Sequence, residues 1–376
     1  MKNLNYFTTN KIAFLIGCTA LCLSCSSDDD PILAPEIELS VAEQNVEMTM
    51  GETKSFEAFN LNDDEYITAW TIGDSLVSSE TSYNFTPETS GAYALSYHAY
   101  NESGDYTFNY NITVEAYIRP TTSSSTAYVS EIIDYVPAPG QYINTDLGND
   151  RGAATVVGGS SGLVSLGAWG GSITLGFDHT ILNTADATDF IVYGNAFSSA
   201  AEPGIIWVMQ DENANGVADD TWYEIKGSGH DLDGTSRNYS VTYFKPATDD
   251  DDDVFWEDSE GATGVVKKNS FRTQGYYPAW ITADSYTVSG TLLSDENVDL
   301  SNPSFVKSLA FEYGYADNTS GGDAIDISDA IDDAGNTVSL SGIDFVKIQT
   351  GVQADLGWLG ELSTEVKGVA DLSLLE

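Results

Sequence analysis

Cysteine is scarce in this sequence, with three residues at positions 18, 22 and 25 and none after them. The chain beyond position 25 therefore has no disulfide, no thiol nucleophile and no thiolate metal ligand. If such a fold needs cross-links in an oxidising compartment, bound cations are the expected substitute.

Basic residues are also few: 14 Lys and Arg stand against 58 Asp and Glu, which gives a formal net charge of −44. Such a chain repels nucleic acid, whose binding depends on Lys and Arg contacts to phosphate, and it offers no basic patch to anionic lipids. The same excess attracts divalent cations. With 41% hydrophobic and 11% aromatic residues the chain can still bury real cores, and its length suggests about two domains.

Histidine occurs three times, as His98, His179 and His230, and none of these stands in a motif typical of a catalytic triad. Paired carboxylates for glycoside hydrolysis cannot be singled out among so many acidic residues. We therefore predict no catalytic residues and a protein that is not an enzyme.

The first 25 residues have the three parts of an export signal. Lys2 and Lys11 supply the positive region, and residues 12–23 form an apolar run that is too short for a permanent transmembrane helix. The small Ser24 then precedes Cys25, an order that resembles a lipobox, in which the cysteine sulfur is acylated. We predict lipidation of Cys25; the alternative is ordinary signal cleavage and a freely secreted protein.

An acidic cluster, Asp28–Asp30, follows this cysteine directly. It resembles the signal that sends lipoproteins of the Bacteroidota type to the outer face of the outer membrane. The alternative is a solvated acidic tether. We predict a protein that is lipid-anchored in the outer membrane and faces the cell exterior.

Short stretches of alternating polar and apolar residues, separated by turn residues, fill the rest of the chain and predict an all-β protein. Around Trp70 and in 83–93 the pattern resembles PKD or Ig-like modules, which usually act as spacers. The later strands, with Gly- and Asp-rich connections, favour a larger jelly-roll-like β-sandwich. The predicted division is a signal peptide (1–24), an acidic tether (25–34), a PKD/Ig-like domain (35–116), a Ser/Thr-rich linker (117–127) and a C-terminal ligand-binding sandwich (128–376).

The stretch 211–220 has oxygen-bearing side chains at alternate positions and a glycine for a sharp turn, as a hard cation requires. It departs from an EF-hand because its twelfth position is Trp222 and its flanks are predicted strands. We predict a structural calcium loop; a metal-free Asx-rich turn is the alternative. The candidate ligands are Asp211, Asn213, Asn215, the Val217 carbonyl, Asp219 and Asp220. The aspartate run 249–253 has no glycine turn and favours a solvated loop.

Aromatic residues beside amides recur through the C-terminal region, which holds six of the seven tryptophans. Rings suit apolar ligand faces and amides suit polar edges, although core packing is the alternative for each ring. The candidate ligand-binding residues are Tyr193, Asn195, Phe197, Trp256, Tyr276, Tyr277, Trp280 and Tyr315.

Several of these motifs, in this order, resemble a family of Bacteroidota surface lipoproteins from vitamin B12 uptake loci, the BtuH-type corrinoid-binding proteins with an N-terminal PKD-like domain. The motifs are SLGAWGGSITLGFD (165–178), YGNAF (193–197), EPG (202–204), DDTWYE (219–224), YYPAW (276–280) and GWLGEL (357–362). The resemblance implies that the chain captures corrinoid as a ligand, not as a catalytic cofactor, and passes it to a TonB-dependent outer-membrane transporter.

Two other functions stay open at this point. The signature Asp-x-His-x-x-Gly of enzymes that bind corrinoid base-off is absent, so cobalt ligation by His179 or His230 is the remote case. A calcium-dependent glycan-binding lipoprotein would use the same aromatic clusters. An enzyme acting on surface polysaccharide ranks last.

Overall fold

The computed structural model describes residues 31–248 and 252–375 and confirms the all-β class. The predicted signal peptide, Cys25, the cluster Asp28–Asp30 and part of the aspartate run 249–253 lie outside the described residues. Within them there is one α-helix, α1 (Asp150–Ala154), which begins where the Asn149 side chain accepts hydrogen bonds from the Arg151 and Gly152 N–H groups. None of the described helices is long and apolar enough to cross a bilayer.

The N-terminal unit is a PKD/Ig-like sandwich of two sheets, ordered β1-β3-β6 and β2-β8-β7-β4-β5. All pairings are antiparallel except β2 with β8, which is parallel. The strands are β1 (Ile37–Leu39), β2 (Asn45–Thr49), β3 (Lys54–Asn60), β4 (Ile67–Ile72), β5 (Ser75–Ser78), β6 (Ser82–Phe85), β7 (Gly91–Asn101) and β8 (Gly104–Glu115).

Alternation along these strands points every second side chain into the space between the two sheets. Trp70 is fully buried there, and its Nε1–H donates to the Glu80 carbonyl at 3.1 Å. Its ring lies 4.5 Å from that of Tyr97 and 6.4 Å from that of Tyr110, centroid to centroid. The aromatic core predicted around Trp70 is therefore present.

The segment predicted as a linker is attached to the C-terminal unit at both ends. The Arg119 N–H donates to Thr180 Oγ1 at 2.9 Å, and the Arg119 guanidinium pairs with the buried Asp344 at 3.0 Å. Farther along, the Thr126 N–H donates to Asp178 Oδ2 at 3.3 Å. These bonds fix residues 119–126 beside the central sheet.

The C-terminal unit contains strands β9 to β25. They are β9 (Glu131–Val136), β10 (Val164–Ser165), β11 (Ser172–Leu182), β12 (Phe190–Tyr193), β13 (Gly204–Met209), β14 (Tyr223–Ile225), β15 (Ser236–Phe244), β16 (Val254–Asp258), β17 (Thr263–Val266), β18 (Ser285–Leu292), β19 (Val298–Asp299), β20 (Lys307–Ser308), β21 (Asp323–Ile325), β22 (Ala330–Ile331), β23 (Gly342–Thr350), β24 (Glu365–Val366) and β25 (Gly368–Asp371). Three single-turn 3-10 helices accompany them: Ile327–Asp329, Gly357–Leu359 and Leu372–Leu374.

A six-stranded antiparallel sheet, ordered β22-β14-β13-β23-β11-β9, forms the centre of this unit. One face packs on a three-stranded sheet, β21-β12-β25, and the shared core includes Phe190, Ile206 and Val346. The other face presents Lys347 and Gln349, because neighbouring residues of β23 point to opposite sides. This second face positions the candidate site.

A four-stranded sheet, β17-β16-β15-β18, stands beside that second face and has its own core. Trp169 and Tyr239 meet edge to face there, 4.8 Å apart, and Tyr276 and Tyr277 fill the rest. Two small pairs, β10 with β24 and β19 with β20, complete the fold.

Candidate functional site

A groove lies between the second face of the six-stranded sheet and strand β18. It comprises two depressions of about 410 and 460 Å³ that share Trp222, Ser289 and Lys347 in their walls. These volumes are in the range of ordinary small-molecule sites. The other side chains of the wall include Trp207, Glu224, Arg237, Asn238, Asp134, Thr174 and Gln349.

Strand pairing places four side chains in one row across the floor of the groove. Thr174 on β11 is opposite Lys347 on β23, and Lys347 is opposite Trp207 on β13. Trp207 is in turn opposite Glu224 on β14. Directly opposed residues share a face and lie within contact distance, so the register of the sheet sets the order hydroxyl, ammonium, indole, carboxylate.

The Glu224 carboxylate at the end of this row is fully buried and well partnered. His230 Nε2 lies 2.9 Å from Oε1, and Thr291 Oγ1 donates to Oε2 at 2.9 Å. Arg237 Nε approaches the same Oε2 at 3.6 Å. These contacts hold Glu224 in place and leave it few free positions for a ligand.

The middle of the row is less well satisfied. Burial lowers the pKa of Lys347, an effect that the Asp134 carboxylate opposes, and no described carboxylate lies within 4.0 Å of its ammonium. Trp207 Nε1 and Gln349 Oε1 are buried without hydrogen-bond partners. Unpaired buried polar atoms cost about 1–3 kcal/mol each, so a site that keeps two of them beside an ammonium without an ion pair is suited to a ligand that supplies partners.

The acidic loop, residues 211–220, lies next to the groove. The buried Asp211 accepts from the Asn215 N–H at 3.0 Å and from the Gly216 N–H at 2.8 Å. The Asn215 amide donates to Asp219 Oδ1 at 3.0 Å, and Asp220 Oδ2 accepts from the Glu212 N–H at 2.9 Å. Gly216 has a φ of 73°, as the sharp turn requires.

The acidic loop is therefore already closed by its own hydrogen bonds. Each of its predicted side-chain ligands accepts at least one N–H, and the remaining lone pairs leave room for a hard cation. Calcium here stays a prediction. Ala218 and Trp222, at the end of the loop, line the groove, so the order of the loop affects the shape of the groove wall.

A separate cavity of about 310 Å³ contains two of the predicted ligand residues, Asn195 and Phe197. Glu202, Glu361 and Glu365 also line it. Phe197 is 66% exposed and stands at its rim. Burial raises the pKa of Glu361 to about 8, which marks the cavity as a poorly solvated place for a carboxylate.

The other predicted aromatic residues are not brought together. Tyr276, Tyr277 and Tyr315 are 0%, 4% and 0% exposed and lie in hydrophobic cores, which favours core packing, the alternative, for these three rings. Tyr193 and Trp256 are half-buried outside the groove, and Trp280 is 42% exposed.

Two of the three histidines are closed to metals. His179 is fully buried, with Nδ1 2.7 Å from Asp178 and Nε2 2.9 Å from Asp371, and these hydrogen bonds raise its pKa, first of all the bond to Asp371. His230 uses Nδ1 toward Tyr315 and Nε2 toward Glu224. Neither ring has a nitrogen left for cobalt.

Sequence reasoning missed the residues of the groove floor. Trp207 lies on β13 and Lys347 and Gln349 lie on β23, and their common face depends on the pairing of these two strands, which are far apart in the chain. The available signal was Lys347, a charged residue between the apolar Val346 and Ile348. A charge at such a position in a central strand indicates a place where the sheet is not covered by core.

No protein-family model matches the sequence, and no curated protein matches it. Among solved structures, the chain is similar to the PKD domain of human KIAA0319, with 19% identity, 26% of this chain and 98% of that chain covered, and a TM-score of 0.19. The fibronectin(III)-like modules of Clostridium thermocellum CbhA give 13% identity over 61% of this chain and 89% of theirs, with a TM-score of 0.20.

A quinonprotein alcohol dehydrogenase-like protein from Bacteroides thetaiotaomicron gives 14% identity, covers 74% of this chain and 72% of its own, and has a TM-score of 0.23. These scores carry no argument about function. The assignment of the N-terminal unit to the sandwich class rests on its own strand order.

Proposed function

We propose that this chain is a non-catalytic surface lipoprotein that captures corrinoid in the groove and passes it to a TonB-dependent outer-membrane transporter. The observation that carries the proposal is the chemistry of the groove. Two indoles, two amides and two basic side chains meet there, although only 14 residues of the chain are basic.

This set of side chains fits the chemistry of a corrinoid. The Trp207 and Trp222 rings suit the apolar faces of a corrin ring, and Asn238 and Gln349 suit its fringe of amides. Lys347 and Arg237 suit the phosphodiester of the nucleotide loop. The ligand is larger than either depression, so it would occupy both and remain partly exposed.

The groove also supports a second candidate, calcium-dependent glycan binding. The specific observation is that Ala218 of the acidic loop and Trp222, two residues after the loop, line the groove, so a calcium ion in the loop would order an aromatic platform for a sugar ring. A binding role is favoured over catalysis because Glu224, the one carboxylate in the floor row, is held by three partners.

Calorimetry with cyanocobalamin tests the proposal. We expect micromolar or tighter binding by the purified chain and a loss of about tenfold or more in Trp222→Ala, since a buried aromatic contact contributes roughly 1–3 kcal/mol. Trp280→Ala is the matched control, because Trp280 is exposed outside the groove and should leave the affinity unchanged. Loss of binding in Trp280→Ala alone would move the site to the YYPAW segment.

Cobinamide, which lacks the nucleotide loop, tests the role of the basic pair. We expect weaker binding of cobinamide than of cyanocobalamin, and no such difference in Lys347→Gln with Arg237→Gln. If cyanocobalamin does not bind at micromolar protein while a polysaccharide does, the glycan-binding candidate replaces the corrinoid proposal.

The membrane anchor is tested separately. Cells fed a labelled fatty acid should incorporate it into the wild-type chain and not into Cys25→Ala. Protease added to intact cells should degrade the protein if it faces the exterior. If the fatty acid is incorporated but the protease does not digest the protein, the prediction of lipidation is supported and the prediction of an exterior location is contradicted.

A further inference from the structure

Three carboxylates from distant parts of the chain meet beside the cavity of about 310 Å³, and two of them, Glu202 and Glu365, line its wall. Glu202 lies just before β13, Asp317 lies in the loop before β21, and Glu365 begins β24. One oxygen from each lies within 4.8 Å of the other two, the only such trio among the residues the structure describes. We call these three residues the carboxylate cluster.

The carboxylate cluster has no basic partner, and two of its three residues are buried, while Glu202 is half-buried. Asp317 is fully buried and Glu365 is 6% exposed, and none of the described Lys, Arg or His side chains forms an ion pair with any of the three. Desolvation raises the pKa of all three carboxyls, well above the ordinary value for Glu202 and Asp317. Buried charges of one sign require either protons or a cation.

Backbone donors nevertheless hold Asp317 in a fixed orientation. Asp317 Oδ1 accepts from the Asn195 N–H at 2.7 Å and the Ala196 N–H at 2.8 Å, and Oδ2 accepts from the Glu365 N–H at 2.9 Å. Ser363 Oγ donates to Glu365 Oε1 at 3.0 Å. These bonds fix the Asp317 and Glu365 oxygens close together, and Glu202 forms a hydrogen bond with Glu365 when the pair holds a proton.

Two further oxygen groups stand at the same place. Glu361 lines the same cavity, is 7% exposed, and its Oε2 is buried without any hydrogen-bond partner. The Asn195 side-chain nitrogen donates to Asp317 Oδ1 at 3.2 Å and to Oδ2 at 3.3 Å in the orientation that satisfies the hydrogen bonds. A bound cation would favour the opposite orientation, in which the Asn195 oxygen becomes a fourth ligand.

We propose that the carboxylate cluster, with Asn195, binds a hard divalent cation, and that this cation is calcium. The ligands are all oxygens, as calcium and magnesium require. Magnesium is usually held by one or two carboxylates and keeps several waters, whereas calcium takes about six to eight oxygens in a flexible shell. Three carboxylates with oxygens within 4.8 Å of one another therefore fit calcium better, and the adjoining cavity has room for the waters that complete its shell.

This site is distinct from the acidic loop and independent of the proposed ligand groove. A cation here would join the segments before β13, before β21 and at β24, and so cross-link a fold that has no disulfide among its described residues. It would serve as a structural staple whatever ligand the groove takes.

The test is calcium titration by calorimetry at about 0.15 M salt, which screens weak binding to the acidic surface. The chains compared after chelation are wild type, the cluster variant Glu202→Gln with Glu365→Gln, and the loop variant Asp219→Asn with Asp220→Asn. We expect the loop variant to retain one specific calcium ion, and the cluster variant to bind that ion on the order of a hundredfold more weakly. Magnesium should bind more weakly than calcium.

The change in melting temperature on adding calcium is a second readout. Carboxylates that only support the fold and bind no cation would not produce a calcium-dependent rise. Without calcium the cluster variant should melt at or above the temperature of the wild type, because like charges have been removed. When calcium is added, the melting temperature should rise for the wild type and the loop variant but not for the cluster variant. A loop variant that binds no calcium overturns the proposal even if the cluster variant fails to fold, as does an unchanged calcium affinity in a folded cluster variant.

Discussion

The acidic loop and the carboxylate cluster are both rich in oxygen ligands, yet they are built in opposite ways. The loop takes its oxygens from ten consecutive residues and satisfies them with its own N–H groups, mostly at the surface. The cluster draws three carboxylates from across 164 residues of chain, from 202 to 365, and buries them together. The loop is thus complete without a metal, whereas the cluster has an excess of buried negative charge.

Replacement of Asp317 should have the largest effect on stability. Asp317→Ala leaves three buried N–H groups without an acceptor and places alanine at a φ of 50°. We expect the free energy of unfolding in calcium-free urea to fall by about 3 kcal/mol. Asp219→Ala, at the exposed side of the loop, is the control and should change it by less than about 1 kcal/mol. If both variants lost the same free energy of unfolding, the contrast between a buried cluster and a self-satisfied surface loop would be contradicted.

Asp211 should rank second, because it is the buried residue of the acidic loop. Asp211→Ala removes the acceptor of the Asn215 and Gly216 N–H groups, and we expect a loss of about 2 kcal/mol in the same urea experiment. Asp211→Asn keeps one acceptor oxygen and should lose less. A loss below about 0.5 kcal/mol would mean that the loop is not held by these bonds.

A third group of acidic side chains, Asp178 and Asp371, is hydrogen-bonded to the buried His179. The titration of this histidine predicts that stability depends on pH. The hydrogen bonds to Asp371 and Asp178 raise the pKa of His179 above its ordinary value near 6.5. The folded state therefore binds the proton more tightly than the unfolded state, so this stabilisation is complete below pH 6.5 and is lost as the pH rises through the folded pKa.

The measurement is urea unfolding of wild type and His179→Gln from pH 5.5 to 9. The stability advantage of the wild type should shrink over the upper part of that range. Because all other groups titrate in both chains, their difference isolates His179. An advantage that grows with pH would contradict the assignment of a raised pKa.

The smallest effect is expected from Asp219→Asn. Its side chain is exposed and the Asn215 amide can find water, so stability should change by no more than about 0.5 kcal/mol. The affinity for the groove ligand should fall only in the presence of calcium, and by less than tenfold, since the loop acts on the groove through Ala218 and Trp222. An equal fall in chelator would show that the loop acts without calcium.

Much of the fold could be predicted from local patterns. Period-two alternation predicts the all-β class, and the pattern around Trp70 predicts the sandwich in which its ring is buried. The glycine turn in 211–220 was likewise readable, because a turn needs only neighbouring residues. Candidate ligand residues are harder to predict, because an aromatic pair such as Tyr276 and Tyr277 suits a core as well as a binding site, and only the tertiary structure shows that both are buried.

The sequence by itself determined the all-β class, the strongly acidic character and the lack of cysteine after position 25, because composition and period-two alternation are local properties. It also carried the export-signal pattern on which the predicted anchor at Cys25 rests. Only the tertiary structure decided which charges become neighbours. Sheet register placed Lys347 beside Trp207, and chain crossings brought Glu202, Asp317 and Glu365 together, because those contacts join residues that no short window of sequence contains.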